Sequence, residues 1–390
     1  MPFLSSRQRL PLLVLAACLG LRAVAAQPAA DVPRMPSSGE VIRLTPPTAR
    51  VISHQPEFYH GWPSLATDGD GTLYLAYSGG REYHVCPFGR VEFMVSRDGG
   101  ETWSWPRTIA DSLTDDRDTG LVVTRGGVLL ASFVTSLAYQ QHLNDPVRLL
   151  GKVYGADLEP ALARWRAAEL AATPAARTAD VGHWLVRSTD RGATWSARYR
   201  APGYNPHGPT PLADGRVFYA VSDGRKSSAW VSGDDGLTWT HLADLPLRAG
   251  ELHAVEAADG TLVVHLRDKR PTAAGVKHRT IQTDSRDGGR TWSAPRFLAD
   301  GYPPHLSRLQ DGTLLCTYGW RNAPFGIRAK VSRDHGRSWS EEFVLSRDGA
   351  GWDIGYPTTV QRPDGELVTV WYEQPAQSHH AQLRQIRWRL

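Results

Sequence analysis

Short runs of alternating apolar and polar residues recur along the chain, and a two-residue turn containing glycine separates the runs of each pair. LATDGDGTLYLAYSG and LSRLQDGTLLCTYG are two examples. Alternation with a period of two is typical of half-buried β-strands, and a glycine-containing turn between two such runs predicts a β-hairpin. The hairpin turns predicted in this way are Asp70-Gly71, Gly126-Gly127, Asp214-Gly215, Asp259-Gly260, Asp311-Gly312 and Asp364-Gly365.

A second motif, Ser-x-Asp-x-Gly-x-Thr/Ser-Trp, counts the same units independently. Its five copies begin at Ser96, Ser188, Ser232, Ser285 and Ser332, so successive copies are 92, 44, 53 and 47 residues apart. A period of about 45 residues is the length of a four-stranded propeller blade. Together the two repeats predict an all-β fold, a six-bladed β-propeller with four-stranded antiparallel blades. Residues 41–44 or 51–53 are available to pair with the C-terminal strand and close the ring.

The 92-residue interval is one blade plus an insertion, which the sequence places in blade 2 at residues 137–180. The stretch LEPALARWRAAELAAT at residues 158–173 is rich in strong helix formers and predicts the one helix of the mature chain. Two interpretations of the insertion remain open at this stage. It is either a lid or wall over the substrate, or a packing ornament.

The N-terminus has the order of an export signal, with Arg7 and Arg9 before an apolar run at residues 10–21. A signal peptide of residues 1–26 is one interpretation. The alternative is a lipoprotein signal, because Leu15-Ala16-Ala17-Cys18 resembles a lipobox and would leave Cys18 lipid-anchored. Residues 27–39 are predicted to be a flexible leader, and residues 40–390 a single propeller. The expected protein is therefore periplasmic or secreted, monomeric, and membrane-associated only through an anchor at Cys18.

Composition narrows the function classes. With 44 Lys and Arg against 40 Asp and Glu the chain is nearly balanced, which argues against a general nucleic-acid binder. Cys86 and Cys316 lack metal-ligand spacing and are predicted to be buried free thiols. No cofactor or metal is predicted, since the acidic turn at residues 115–118 is better explained by its own arginine than by Ca²⁺.

The repeated motif predicts where chemistry is found. Its Asp and Ser can bond the backbone of their own turn, and its Trp can pack between sheets, so its predicted role is structural. The five copies of this motif are here called Asp boxes. Antiparallel order places both the hairpin turns and the Asp boxes on one face of the propeller, here called the turn face. Candidate site residues should lie on the opposite face, here called the site face, where first strands begin and second strands end. Arginines dominate that set, which predicts an anionic substrate.

With its boxes and six hairpins, the chain resembles the sialidase superfamily from about Glu57 to its end. The resemblance implies a Tyr nucleophile with a Glu partner, an Asp acid/base and three arginines that hold the substrate carboxylate. Tyr356 in DIGYPTTVQRPDG and Glu251 in GELHAVEAADG match the nucleophile pair. Arg267 matches the second arginine, and Arg321 or Arg328 supplies the third. The implied activity is exo-hydrolysis of a terminal acidic sugar from an anionic glycan.

Blade 1 departs from the family pattern. Gly61-Trp62-Pro63 stands where the family has Arg-Ile-Pro, although Arg81 matches the other blade 1 arginine. The following loop, Glu82 to Arg90, lacks the acid/base Asp. Glu82, His84 or an Asp of residues 115–118 can substitute, and Asp116 and His84 are taken as candidates beside Tyr356 and Glu251. The predicted substrate-binding residues are Arg81, Arg267, Arg328, Arg321, His60, Arg117 and His207.

Two other functions remain open. His60, His84 and His207 can serve as acid/base groups in a lyase or rhamnosidase-like enzyme acting on uronic acid-containing glycans. The chain can also be a carbohydrate-binding propeller without catalytic activity, since a fold alone does not give function.

Overall fold

The structure is a computed structural model that describes residues 32–248, 250–270 and 278–390. The predicted signal segment and Cys18 lie outside these residues. The described strands form six four-stranded antiparallel sheets, which confirms the predicted propeller.

The strands follow the predicted order along the chain. Strand β1 is Arg50–Val51. Blade 1 contains β2 (Tyr59–Thr67), β3 (Leu73–Arg81), β4 (Arg90–Ser96) and β5 (Arg107–Ala110), and blade 2 contains β6 (Asp115–Val123), β7 (Leu129–Ser136), β8 (Gly182–Ser188) and β9 (Tyr199–Arg200). Blade 3 contains β10 (Thr210–Pro211), β11 (Val217–Ser222), β12 (Ser227–Ser232) and β13 (Thr240–Asp244), and blade 4 contains β14 (Leu252–Glu256), β15 (Leu262–Asp268), β16 (Arg279–Ser285) and β17 (Arg296–Ala299). Blade 5 contains β18 (Pro304–Arg308), β19 (Leu314–Trp320), β20 (Gly326–Ser332) and β21 (Phe343–Ser346), and blade 6 contains β22 (Ile354–Gln361), β23 (Leu367–Glu373), β24 (Gln382–Trp388) and β1.

The ring closes through the N-terminal strand. In β1, Arg50 pairs with Gln385 and Val51 with Arg384 of β24, in antiparallel register. The second of the two predicted closing segments is therefore the one that pairs. Ile42 and Leu44, from the other segment, pack instead as partly buried side chains on the core between blades 5 and 6.

Residues 32–39, which composition predicts as a flexible leader, are hydrogen-bonded to the outer edges of blades 4 and 5. The Met35 amide donates to the Phe297 carbonyl at 2.7 Å, and the Ser38 amide donates to the Trp339 carbonyl at 2.9 Å. Arg34 also stacks on the Phe297 ring, 4.6 Å from its centroid. Exposed edge strands offer unpaired backbone groups, and these residues satisfy some of them.

The side chains of each Asp box form hydrogen bonds within the turn of that box. In the first box Ser96 Oγ and the Thr102 amide donate to Asp98 Oδ1 at 2.8 and 2.9 Å, and Thr102 Oγ1 donates to Asp98 Oδ2 at 2.6 Å. The Thr102 hydrogen bonds lower the pKa of Asp98 to about 2. Arg191 of the second box bonds Asp70 of the blade 1 hairpin at 2.7 Å, so boxes and hairpins do share the turn face.

The box tryptophans join neighbouring blades. Trp103 of blade 1 donates to Gln385 Oε1 of blade 6 at 2.8 Å, and Trp339 of blade 5 donates to Gln282 Oε1 of blade 4 at 2.8 Å. Trp195 of blade 2 packs edge-on against Phe93 of blade 1, with 5.3 Å between ring centroids. Each box therefore stabilises the contact with the preceding blade as well as its own turn.

The insertion is more helical than its sequence predicts. The predicted helix is α3 (Leu158–Leu170), and three short helices accompany it: α1 (Gln140–Asn144), α2 (Pro146–Tyr154) and α4 (Pro174–Asp180). α2 and α4 both begin at proline, which fits the first turn of a helix. No helix in the described part of the chain is long and apolar enough to cross a membrane.

The insertion is anchored to the blade 1 loop that follows Arg81. Glu82 accepts hydrogen bonds from Arg164 Nε at 2.7 Å and from Trp165 Nε1 at 2.9 Å. Buried Cys86 packs with Leu162 and Trp165 in the same cluster. Glu82 is thus a structural anchor, and the helices hold the loop that carries His84.

We expect replacement of a buried box tryptophan to destabilise the ring. Trp339 is 1% exposed, so Trp339→Ala should lower the free energy of unfolding by about 3–5 kcal/mol through the cavity it leaves. Trp105, which is 64% exposed, provides the matched control, and Trp105→Ala should change stability by less than about 1 kcal/mol. Urea unfolding of the two variants measures the difference. Equal losses would contradict a fastening role for the box tryptophan.

Candidate active site

Three first strands carry the same backbone irregularity. Trp62 in β2, Asp118 in β6 and Tyr356 in β22 have φ of 52°, 57° and 52°, and the register of each strand shifts at this position. Positive φ is uncommon for residues other than glycine and often marks functional sites. The Trp62 and Tyr356 rings lie 6.4 Å apart, and the charge of Asp118 acts on Tyr356. The three bulges thus bring blades 1, 2 and 6 together around Tyr356.

Tyr356 is 4% exposed and sits among aromatic rings. Its ring lies 5.9 Å from both Tyr372 and His207. Burial, followed by the charges of Glu251 and Asp118, raises its pKa well above the ordinary value, while Arg267 opposes the shift. The raised pKa keeps the hydroxyl neutral at pH 7, and the hydroxyl makes no hydrogen bond to the described residues.

Glu251 begins blade 4 and is held by cations. Arg267 Nη1 donates to both carboxylate oxygens, at 2.7 Å to Oε1, and Lys269 Nζ lies 3.6 Å from Oε1. Burial opposes ionisation, but the charges of Arg267, Lys269 and Arg321 outweigh it and lower the pKa of Glu251 to about 2. Glu251 is therefore a carboxylate at neutral pH, close enough to Tyr356 to act on its pKa.

The charges of three arginines, Arg117, Arg267 and Arg321, act on Tyr356. Arg267 and Arg321 lie over the Tyr302 ring, 4.2 and 5.1 Å from its centroid. Arg117 lies over the Trp62 ring at 4.5 Å. These three of the predicted arginines belong to one group.

Arg81 and Arg328, the other two predicted substrate arginines, do not join this group. Arg81 is fully buried and binds both carboxylate oxygens of Asp115, with 3.2 Å from Nη2 to Oδ2. Arg328 lies in the third strand of blade 5, where it donates to the carbonyls of Ser346 and Pro324 at 2.7 and 3.2 Å. A third strand lies away from the channel, so of the two alternatives for the third arginine the structure brings in Arg321.

His84 heads a hydrogen-bonded network on the site face. Its Nδ1 lies 3.0 Å from Asp353 Oδ1 and 2.9 Å from the Tyr59 hydroxyl, and both Tyr59 and Tyr372 donate to Asp353 at 3.0 Å. Burial opposes ionisation of Asp353, but His84 and Arg321 lower its pKa. The His84 ring is 5.0 Å from the Trp62 ring and is 24% exposed. The network thus orients the partly accessible imidazole of His84, and the Trp62 ring is close to both His84 and Tyr356.

Asp116, a predicted catalytic residue, is engaged elsewhere. It accepts hydrogen bonds from the Ser112 amide and hydroxyl, both at 2.8 Å, and from Thr135 Oγ1 at 2.6 Å. Burial raises its pKa to about 7. Its neighbour Asp118 is the carboxylate that acts on Tyr356, and Asp118 Oδ1 is buried without a hydrogen-bond partner among the described residues. In a regular strand, residues two apart face the same side, so Asp116 and Asp118 would point together. The register shift between Arg117 and Gly120 separates them.

The two remaining predicted histidines lie in the core. His60 packs edge-on against Tyr77 at 5.3 Å, and neither of its ring nitrogens has a partner in the described structure. His207 lies below Tyr356 with its ring 5.3 and 5.1 Å from those of His253 and His305. His253 and His305 stack 4.4 Å apart at 18°, a parallel arrangement in which the rings do not converge on one point. The described residues contain no group of three His, Cys, Asp or Glu that could hold a metal ion.

Comparison with known proteins agrees with this architecture. Residues 160–369 match the sequence model of the BNR repeat-like domain, and residues 94–104 match the BNR/Asp-box repeat. The first match spans just over half of the chain, which therefore belongs to the BNR repeat-like family.

Individual relatives are more distant. The chain is 34% identical to a Paenibacillus sp. xyloglucanase over 171 residues, which is 39% of this chain and 16% of that enzyme. A solved protein of unknown function from Dyadobacter fermentans has a TM-score of 0.69 and 23% identity, covering 88% of this chain and 98% of its own. The Hadza microbial sialidase Hz136 has a TM-score of 0.60 and 17% identity, covering 85% and 66%. Structural likeness at this identity shows the fold.

Buried histidines predict an acid-sensitive fold. Burial lowers the pKa of His60 and His265 to about 3, and burial also lowers those of His207, His253 and His305 well below 6.5. Below pH 6.5 the unfolded chain therefore binds more protons at these histidines than the folded chain does. Stability should fall as pH drops from about 6.5, by up to about 1.4 kcal/mol per pH unit for each group.

The raised pKa of Asp116 acts in the opposite direction between about pH 4 and 7, and burial also raises the pKa of Asp111 and Glu373, but these three acids are outnumbered by the histidines whose pKa burial lowers. Urea unfolding between pH 7.5 and 5 should show the net loss, and His60→Gln should flatten the slope. A pH-independent free energy of unfolding over this range would contradict the prediction.

Proposed function

We propose that this chain is a glycoside hydrolase that removes a terminal acidic sugar from a glycan. The observation that carries the proposal is the group around Tyr356. Tyr356 is buried and neutral, its ring lies 6.4 Å from that of Trp62, and the charges of three arginines and of Glu251 and Asp118 act on it. The likeness to sialidases and to a xyloglucanase supports a glycan substrate.

The arginines form the proposed carboxylate clamp. Arg117 makes no hydrogen bond to the described residues, although it lies 3.5 Å from Asp118 and 3.9 Å from Asp115. Arg321 donates through Nε to the Ile354 carbonyl and through Nη2 to Tyr372, which leaves Nη1 for a ligand. Planar guanidinium groups suit a carboxylate, and several held together favour an anion between them. Arg117 thus supplies from blade 2 the charge that Gly61-Trp62-Pro63 does not supply from blade 1.

Tyr356 is the proposed nucleophile. Its oxygen forms a bond to the anomeric carbon, the bond to the leaving-group oxygen breaks, and the phenolic proton passes to Glu251. A neutral nucleophile avoids the repulsion that a carboxylate would meet beside an acidic sugar. Binding of the substrate carboxylate to Arg267 draws that charge away from Glu251, which makes Glu251 a better base. Water then attacks the anomeric carbon and releases Tyr356, with the protons returned.

His84 is the proposed acid/base. It lies in the loop where the resemblance places this role, and Asp353 fixes its orientation through Nδ1. Its other ring nitrogen is then free to give a proton to the leaving-group oxygen. Asp118 is the alternative acid, and in that role it carries a proton on Oδ1, which is buried without a partner among the described residues.

The His84 network also favours a second candidate, a uronate lyase. In that reaction His84 removes the proton at C5 of a uronate, the bond from C4 to the glycosidic oxygen breaks, and a C4–C5 double bond forms. A tyrosine then protonates the departing oxygen. The contact of His84 with the Tyr59 hydroxyl at 2.9 Å supports this alternative.

Tyr356→Phe tests the nucleophile. It should lower kcat by at least about 1,000-fold on the best substrate from a panel of sialyl, ulosonate and uronate glycosides, because the attacking oxygen is removed. Tyr219→Phe, at a buried tyrosine of β11, is the control and should retain activity. Release of reducing sugar supports the hydrolase, whereas an ultraviolet-absorbing unsaturated product identifies the lyase. No turnover on any acidic glycan, with binding unchanged in Tyr356→Phe, would identify a binding propeller.

Leaving-group dependence separates the two acid candidates. If His84 is the acid, His84→Gln should lower kcat by about 100- to 10,000-fold on an alkyl glycoside, which needs protonation. The same variant should lose less than about 10-fold on an activated aryl glycoside, which does not. Asp118→Asn should show no such difference. The reverse pattern would assign the acid to Asp118.

A further inference from the structure

A cavity of about 830 Å³ opens beside the Tyr356 group, between blades 2, 3 and 4. It shares Arg117 and Asp118 with that group and extends outward to Arg248 and Lys269. Volumes of about 300–1,000 Å³ are typical of small-molecule sites. The cavity is therefore large enough to continue a binding site that begins at Tyr356.

The wall of this cavity combines apolar and polar surface. Val134 and Leu247 contribute apolar atoms, and the rings of His183 and Tyr204 lie 6.4 Å apart at 28°. The Oδ1 atom of Asp118, whose residue is 9% exposed, is buried without a partner among the described residues. Apolar and aromatic surface with a few convergent polar groups is the lining expected for a sugar.

The cavity carries excess positive charge. Arg270 is neutralised by Asp268, with 2.9 Å between Nε and Oδ1. Lys269 lies 3.6 Å from Glu251, but that carboxylate is already bound by Arg267. Arg248 is exposed and has no carboxylate partner within the part of the chain that the structure describes. Asp223 is the other acidic group of the lining, and its Oδ1 accepts hydrogen bonds from the backbone amides of Arg225 and Lys226.

We infer that this cavity binds a second acidic sugar, linked to the sugar held at Tyr356, through Arg248 and Lys269. The inference rests on the proposed function for the position of the first sugar. The inferred substrate is then a glycan with two adjacent acidic sugars, and not a neutral chain that ends in one acidic sugar. Arg117, at the junction, faces both sugars.

Binding to a catalytically silent protein tests this directly. Tyr356→Phe protein is titrated calorimetrically with galacturonate, digalacturonate and neutral cellobiose. Digalacturonate should bind at least about 10-fold more tightly than galacturonate, and cellobiose should not bind detectably. Adding Arg248→Ala or Lys269→Ala should weaken digalacturonate binding by about 5- to 10-fold. Arg248→Ala should leave galacturonate binding unchanged.

Arg290→Ala removes a cation from the turn face and is the matched control, with no expected effect on either ligand. The inference is overturned if digalacturonate binds no more tightly than galacturonate, if neither ligand binds to folded protein, or if Arg248→Ala behaves like Arg290→Ala. Release assays on the unmodified protein test the proposed function separately. Charge-dependent binding of the disaccharide without release of sugar would keep the second site and reject the hydrolase.

Discussion

The ion pair between Arg81 and Asp115 fixes the arrangement on which the site depends. Both side chains are fully buried, and the Arg81 guanidinium also donates to the carbonyls of His84 and Asp116 at 3.1 and 3.3 Å. One cation therefore joins the loop that carries His84 to the strand that carries Arg117 and Asp118. A Cβ on Gly89 would overlap both partners, so the loop needs glycine there. Breaking such a pair costs about 3–5 kcal/mol because it leaves a buried charge.

The departure from the family pattern in blade 1 has a structural counterpart in blade 2. Trp62 lies where the family pattern has Arg-Ile-Pro, and its ring contacts Arg81 at 5.0 Å and Arg117 at 4.5 Å. The ring supports Arg117 in a position from which its charge acts on Tyr356. An aromatic residue that carries no charge thus places a guanidinium group from the neighbouring blade. In the proposed site, Arg117, Arg267 and Arg321 form the three-arginine arrangement that the resemblance implies.

The sequence predicts the fold well because both repeats are local. Each hairpin turn and each box is specified by residues adjacent in the chain, so all six blades and the turn face can be predicted from spacing. The site is assembled from different blades and depends on details of register. The bulges at Trp62, Asp118 and Tyr356 change which strand residues meet, and spacing alone does not show that Asp116 bonds Ser112 and Thr135 while Asp118 joins the Tyr356 group. The sequence also does not show that Arg328, in a third strand, donates to the carbonyls of Ser346 and Pro324.

Charge balance around Tyr356 explains why an acidic ligand suits the site. Among the described residues four cations (Arg117, Arg267, Arg321 and Lys269) face the carboxylates Glu251, Asp118 and Asp353. Arg81 and Asp115 neutralise each other, so four cations against three carboxylates leave one positive charge, and Lys269 is shared between this group and the cavity between blades 2, 3 and 4. This excess keeps Glu251 ionised and bound to Arg267, where it is a weak base. In the proposed mechanism, a substrate carboxylate supplies the missing negative charge and competes for Arg267, and its binding prepares Glu251 to receive the proton of Tyr356.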